Sequence, residues 1–316
     1  MIMGNLKKIA LFTNDVETTS LVRNELFEDV IPLLENQAMP LLLDAYARYQ
    51  VKTTFFFTGY LAERSAKLVR MVWDQGHEVA CHGYSHKVNK AFDVLSFKEQ
   101  LEHLKKAKSI LENITGEAVV SFRAPALRVN GDTPAALMES GFLIDSSVAS
   151  QRFDMFLSYG SGQKLKWLTA PRRPYFTKPD DLTKRGNSNL LEVPVSALII
   201  PYIGTTLRML PFPVRLIRSA LAFESTINGK PINFLTHPNE FMDEAHSKGP
   251  IARRSGNFVK YLLADLIRNK LKMKNLGSSA IAILEKELAY FLRKGFSFLT
   301  MKEYRNLIVN SNGENR

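Results

Sequence analysis

Lys8-Ile9-Ala10-Leu11-Phe12-Thr13-Asn14-Asp15-Val16-Glu17 decides how the rest of the chain is read. Lys8 to Thr13 is a short apolar run with the character of a buried strand, and the polar Asn14 and Asp15 end it, so acids sit at its C-terminal end. Thr53 to Thr58, β-branched and aromatic and closed by Gly59, is a second buried strand. His77 to His82 is a third, and it delivers His82 to its own C-terminal end. Between these strands lie two helical patterns over about residues 24–50, broken near Gln37 with Pro40 in a first turn, and one over 61–74 that stops at Gly76. Ser96 with Glu99 three residues on is a capping box opening a helix over 96–113. Val119 to Phe122 and Phe142 to Asp145 continue the series around a short helix over 134–140. Leu190 to Val195 and Ile232 to Thr236 follow, then helices over 257–274 and 279–293 and a last strand from Phe296 to Leu299.

Strands alternating with helices imply parallel pairing through right-handed crossovers, with the helices outside. In barrels of this kind, chemistry gathers at the C-terminal strand ends. Asp15, Glu17, His82, His86, Arg123, Asp145 and His237 all fall at or just past such ends, from five different strands. The alternation lapses over 150–189 and again over 201–228, two excursions from what reads as a single domain spanning 1–316.

With 316 residues, 45% of them apolar, the chain can bury a full core. Its formal net charge of +11 calls for an anionic partner: nucleic acid, an anionic membrane surface or a phosphorylated substrate. No helix-turn-helix, zinc-finger or RNP motif is present, so nucleic acid ranks last. Cys81 is the only cysteine, which excludes an intrachain disulfide, and it reads as a small core hydrophobe. Met1 to Lys8 has no signal-peptide apolar core and no run reaches membrane-spanning length, so a cytoplasmic protein is expected.

His82-x-x-x-His86 supplies two imidazoles able to meet one metal, across a helical turn or in a loop. The spacing recurs by chance, but a neighbouring Asp or Glu completes a two-nitrogen, one-oxygen set that leaves positions open for water and substrate. His77, His103 and His246 fall off these positions and read as structural or surface residues.

Taken in order, the strand-end acid, His82-x-x-x-His86, Arg123-Ala124-Pro125 and Leu235-Thr236-His237-Pro238 resemble the polysaccharide deacetylase family, the NodB-homology or carbohydrate esterase family 4 type of hydrolase. The resemblance extends from about Lys8 to Thr300. It implies a distorted (β/α)7 barrel, one divalent metal (Zn, with Co, Mn or Ni as alternatives) and removal of an N-acetyl group from an amino sugar. It further implies that His82 and His86 are metal ligands, that Arg123 orients the catalytic base and that His237 protonates the leaving amine. The first motif departs from the family's usual adjacent aspartates, and two registers stand open. In one, Asn14-Asp15 takes their place, Asp15 is the ligand and the base is missing. In the other, preferred one, Asp15-Val16-Glu17 fits the acid-x-acid form of a subgroup that resembles the inner-membrane arabinose-lipid deformylases and some peptidoglycan deacetylases; Asp15 is then the base and Glu17 the ligand.

Pro125 and Asp145 resemble family segments lining the pocket, though Asp145-Ser146-Ser147 is also ordinary turn chemistry. Trp167, Tyr175 and Tyr202 are candidate sugar-stacking faces in the excursions, with core packing as the alternative. Residues 204–223 and 253–274 interleave apolar and basic residues in the manner of segments that lie on an anionic bilayer, or of outer helices with a solvated basic face. Together with the charge, these point to an N-acetylhexosamine carried on a polyprenyl phosphate, an envelope glycan precursor met at the inner membrane face. The alternatives are a deformylase on a lipid-linked amino sugar and a sugar- or lipid-binding barrel without catalysis, the latter favoured by Asn14.

Overall fold

A computed structural model describes residues 7–23, 25–152, 162–242 and 268–313. Seven strands form the frame: β1 Ile9–Val16, β2 Thr54–Phe57, β3 Glu78–Cys81, β4 Ser121–Phe122, β5 Ile144–Asp145, β6 Leu191–Glu192 and β7 Ile232–Thr236. They pair in parallel in the order β7-β1-β2-β3-β4-β5-β6. The sheet curls into the expected distorted (β/α)7 barrel, open between β6 and β7. That gap is bridged by Ser196 N donating to Asn233 O (3.0 Å) and the Asn233 amide donating to Val193 O (3.0 Å). Ser297–Phe298 pairs with the start of β1.

Successive side chains of a strand point to opposite faces, and this parity sorts the core. Leu11, Phe56, Ala80, Ile144, Leu191 and Val193 fill the barrel interior. Phe12, Val16, Phe55, Phe57, Cys81 and Phe122 point outward beneath the helices. Cys81 is buried, and burial pushes its thiol up to about 12, which leaves it an inert core residue. A helix not anticipated from sequence, Met301–Gly313, closes the N-terminal end of the barrel. Its first turn is capped from inside the barrel: Glu78 Oε2 accepts from Lys302 N (3.0 Å) and Thr54 Oγ1 from Met301 N (2.9 Å).

Several elements differ from their sequence readings for local reasons. The expected break near Gln37 is a π-helical stretch, Leu34–Ala38, which lets Pro40 pass without ending the helix. The helix over 61–74 is two, Gly59–Arg64 and Ala66–Trp73, parted at Ser65, whose Oγ caps the second by accepting from Leu68 N (3.2 Å). The 96–113 helix runs Phe97–Thr115 with the expected Ser96/Glu99 capping box and ends at left-handed Gly116. The first excursion contains a hairpin, Tyr175–Lys178 and Asp181–Arg185, that adds to β6 antiparallel. The second becomes the helices Gly204–Met209 and Pro211–Asn228. Of the basic 257–274 helix only Arg268–Lys272 is seen; its remainder up to 267 and His246 lie outside the described residues. No helix among the described residues is long and apolar enough to cross a membrane.

Candidate active site

Strand parity settles what β1 brings to the site. β1 runs through Asp15 rather than ending before it: Asn14 and Asp15 are both paired, opposite Phe55 and Phe56. Thr13 and Asp15 therefore face the barrel interior, while Asn14 faces outward and is fully buried. Its Oδ1 accepts from Tyr46 OH (2.9 Å) and Thr236 Oγ1 (2.8 Å), and its Nδ2 reaches Thr53 Oγ1 and Thr54 O at 3.4 Å. Asn14 is thus a structural clamp between β1, β2, β7 and the helix Met39–Arg48, and it does not meet the histidines.

Arg123, just past β4, is wholly buried in the interior, and each of its three side-chain nitrogens donates. Nη1 donates to Asp15 Oδ1 (2.8 Å) and Thr13 Oγ1 (2.9 Å), Nη2 to Ser146 Oγ (2.9 Å) and Nε to Ser146 O (3.0 Å). Its guanidinium lies 4.4 Å from the centre of the Phe56 ring. Asn233 Nδ2 donates to Ser146 Oγ at 2.9 Å, so the arginine's own partners are held in turn. This charge-assisted bond fixes Asp15 with its second oxygen, Oδ2, 3.9 Å from His82 Nε2.

His82 leaves β3 with its N–H on Phe57 O (2.8 Å) and its side chain in the interior. Nδ1 lies 2.8 Å from Arg123 O; a carbonyl only accepts, so Nδ1 carries the proton and Nε2 presents a lone pair to the site. Burial lowers the ring's pKa to about 4, which keeps it neutral. Gly83 turns the chain at φ +68°, and a Cβ there would stand 2.9 Å from the Phe92 ring. That turn brings His86 back in a loop, not on a helix, with Nε2 2.9 Å from Glu17 Oε2. Glu17 is 6% exposed; burial alone would raise its pKa, but His86, His237 and His82 bring it down to about 2. Donor atoms of Glu17, His82 and His86 lie within 4.8 Å of one another. Glu17 Oε2 is buried without a well-directed hydrogen bond despite its closeness to His86. One carboxylate oxygen and two imidazoles, with one lone pair fixed by a backbone carbonyl, fit a divalent ion of the zinc type.

His237, past β7, faces the same cavity, and its Nδ1–H donates to Glu240 Oε1 at 3.3 Å. Burial would lower its pKa, but the Glu240 bond and charge, with Asp15 and Glu17 beyond, raise it above the ordinary value. Burial would raise the Glu240 pKa, but Arg208, whose Nε donates at 3.1 Å, and His237 hold it at about 2. Thr205 Oγ1 donates to Glu240 Oε1 (2.5 Å). Gly204 makes room, since a Cβ there would sit 2.5 Å from Glu240 Oε2. Sequence reading passed over Glu240 and Arg208; the signal for Glu240 was a carboxylate three residues past a strand-end histidine.

These groups open into a cavity of about 1140 Å³. Pro125 lines it as expected, followed by Ala126 and Leu127, both at left-handed φ (53° and 54°), a conformation that non-glycine residues hold only where surroundings impose it. Asp145 and Trp167 are not brought to the cavity. Ile144 and Ser146 point inward, so Asp145 between them points outward, where it is fully buried opposite Glu192 and Ser147 Oγ donates to it (2.6 Å). Trp167 is 1% exposed in the core. Tyr175 OH donates to Leu182 O (2.6 Å) within its hairpin, and Tyr202 packs between Phe234 and Phe291 with its hydroxyl on Glu287. No Phe, Tyr or Trp side chain lines the cavity among the described residues; its wall away from the acids is largely aliphatic. His77 is structural: its Nδ1 accepts from Thr53 N (3.1 Å), and burial lowers its pKa to about 4.

A parallel barrel thus brings acids, paired histidines, a buried arginine and a late histidine to one rim, and comparison with known proteins shows what the chain resembles. Residues 25–143 match the family model described as polysaccharide deacetylase. The peptidoglycan deacetylase of Helicobacter pylori is 30% identical over 115 residues, 36% of this chain and 38% of that protein. The chain thus spans well under half the length of that curated relative. A structure described as a polysaccharide deacetylase from Pseudomonas aeruginosa superposes with a TM-score of 0.60 at 16% identity, over 96% of this chain and 91% of that one. Another so described, from Mycobacterium smegmatis, gives 0.53 at 20% identity over 95% and 96%. Over residues 25–143 the chain is similar to the polysaccharide deacetylase family, and its fold is that of the two structures so described. The matched residues include His82, His86 and Arg123; Asp15, Glu17 and His237 lie outside them, and it is the fold that brings these three to the same rim.

Proposed function

We propose that this protein is a metal-dependent N-deacetylase acting on an amino sugar, with Asp15 as base and Glu17, His82 and His86 as metal ligands. The observation that carries the reading is the division of labour within Asp15-Val16-Glu17: Asp15 is held by Arg123, whereas Glu17 turns to the two histidines. The outward, fully bonded Asn14 supports this register and removes the feature that favoured a barrel without catalysis.

A divalent ion bound there supplies Lewis-acid polarisation of the amide carbonyl and lowers the pKa of water. Asp15 Oδ2 accepts the proton of the attacking water, because Oδ1 is committed to Arg123 and the carboxylate cannot rotate away. Arg123 holds Asp15 in place between proton transfers through the Nη1–Oδ1 hydrogen bond. His237, with Nδ1–H on Glu240, presents Nε2 to the cavity and donates a proton to the departing nitrogen, which would otherwise leave as an amide anion. The raised pKa of His237 suits an acid that must be protonated near neutral pH.

The cavity wall supports a substrate with an aliphatic portion. Leu26, Val88, Ile200, Ile203, Met209 and Leu210 line it, and Lys87 stands exposed at its edge. We read the substrate as an N-acetylhexosamine on a polyprenyl phosphate. Purified protein with Zn²⁺ is offered that compound and a soluble chitooligosaccharide, with products followed by mass spectrometry. Hydrolysis of the acetyl amide removes about 42 daltons and of a formyl amide about 28. Loss of the acetyl mass from the lipid-linked sugar supports the reading; turnover of the soluble oligosaccharide alone removes the lipid carrier, and no turnover of either refutes the deacetylase assignment.

A further inference from the structure

Helix Pro211–Asn228 has its polarity reversed. Two of its three charged side chains turn toward the protein, where Arg218 Nη1 donates to buried Glu287 (2.8 Å) and Glu224 accepts from Arg172 (2.9 and 2.5 Å) and Lys230 (3.0 Å), while the third, Arg215, is half-buried. Val214, Leu221, Ala222 and Ser225 pack beside them. The opposite face carries Phe212, Leu216, Phe223 and Ile227, which are 74%, 59%, 67% and 61% exposed. At 3.6 residues per turn these four fall within about 60° of one another, along roughly 22 Å of helix. The other exposed positions of the helix are Pro213, Ser219, Ala220 and Thr226, so the whole exposed face is without charge.

Single exposed apolar residues are ordinary, but an uncharged line of them on a helix anchored by internal ion pairs is a docking surface. Its surroundings select the partner. A second copy would bring a formal net charge of +11 against another +11, whereas an anionic bilayer attracts that charge. The line also starts at the cavity: Met209 and Leu210, just before the helix, line the cavity, and Leu210 is itself 45% exposed. Ile199, 62% exposed, leads in the same way into the lining residues Ile200 and Pro201.

We infer that the face formed by Phe212, Leu216, Phe223 and Ile227 docks on an anionic lipid surface and sets the cavity mouth against it. The docking deepens the proposed function by naming the surface on which the substrate is met, yet it is measured without metal or substrate, so either reading can fail alone. The full chain is floated with vesicles of phosphatidylcholine, with and without about one quarter phosphatidylglycerol. The wild type is expected to float with the anionic vesicles and to be released by salt. Phe212→Ser/Phe223→Ser is expected to lose binding at least tenfold while keeping its melting temperature. Leu216→Gln, a milder change at an exposed position, repeats the comparison if the double variant folds poorly. A wild type that stays with the soluble fraction, or variants that bind as tightly as the wild type, overturns the inference. So does a wild-type dimer in sedimentation velocity that these substitutions dissociate without any vesicle association, which would make the face a self-association surface.

Discussion

Asn14→Ala separates the two ways of reading the first motif. The side chain is fully buried and accepts two short hydrogen bonds, from Tyr46 OH and Thr236 Oγ1 at 2.9 and 2.8 Å, besides two long contacts at 3.4 Å through its amide. A net hydrogen bond contributes about 1 kcal/mol, and a buried hydroxyl left without its partner costs about 1–3 kcal/mol. Burial already pushes the Tyr46 hydroxyl above its ordinary pKa, so that group has no charged form to fall back on. Two such hydroxyls give a loss of roughly 2–6 kcal/mol, a large part of a domain's stability. Urea denaturation followed by tryptophan fluorescence measures it, and turnover and metal content are then determined per folded molecule. Stability should fall by that amount while both functional readouts stay at wild-type levels. A change below about 0.5 kcal/mol, or a fall in metal content of folded protein, refutes the assignment of Asn14 to structure.

Two further consequences concern histidines. His77 must be neutral to accept from Thr53 N, and its folded pKa of about 4 lies below the ordinary 6.5, so the unfolded chain binds the extra proton between those values. Its contribution is complete above pH 6.5 and is lost as pH falls toward 4, about 3 kcal/mol over the window; His77→Gln should flatten that part of the stability–pH curve, and an unchanged slope contradicts it. Glu240→Gln removes what raises the His237 pKa, so the alkaline limb of the kcat profile should move to lower pH, with little change in metal affinity. A limb that stays in place assigns the proton to another group.

Much of this architecture was readable in advance because strand runs such as Thr53–Thr58 and Ile232–Thr236 carry their own apolar signature, and the capping box at Ser96 marks its helix without help from the rest of the chain. The rim residues were readable for the same reason: each follows a run that had to be a strand. What sequence reading missed was mostly parity. Once Ile144 is known to be interior, Asp145 must be exterior, but the run Phe142 to Asp145 is apolar on both faces and shows no alternation. Asn14 went unplaced in the same way, since β1 was read as ending before it. Glu240 and Arg208 come from different elements and meet only in the fold, and the apolar face of Pro211–Asn228 looks like a core face until Arg218 and Glu224 are seen to occupy the inside.

The central claim is that the two acids of Asp15-Val16-Glu17 do different things, and calorimetric titration of Zn²⁺ into Asp15→Asn and Glu17→Ala, paired with turnover, tests it most directly. Asp15→Asn should bind Zn²⁺ within a few-fold of wild type while its turnover falls by about 10²–10⁴, whereas Glu17→Ala should lose the metal and the activity with it. Loss of Zn²⁺ from Asp15→Asn together with retained metal and activity in Glu17→Ala would contradict the account.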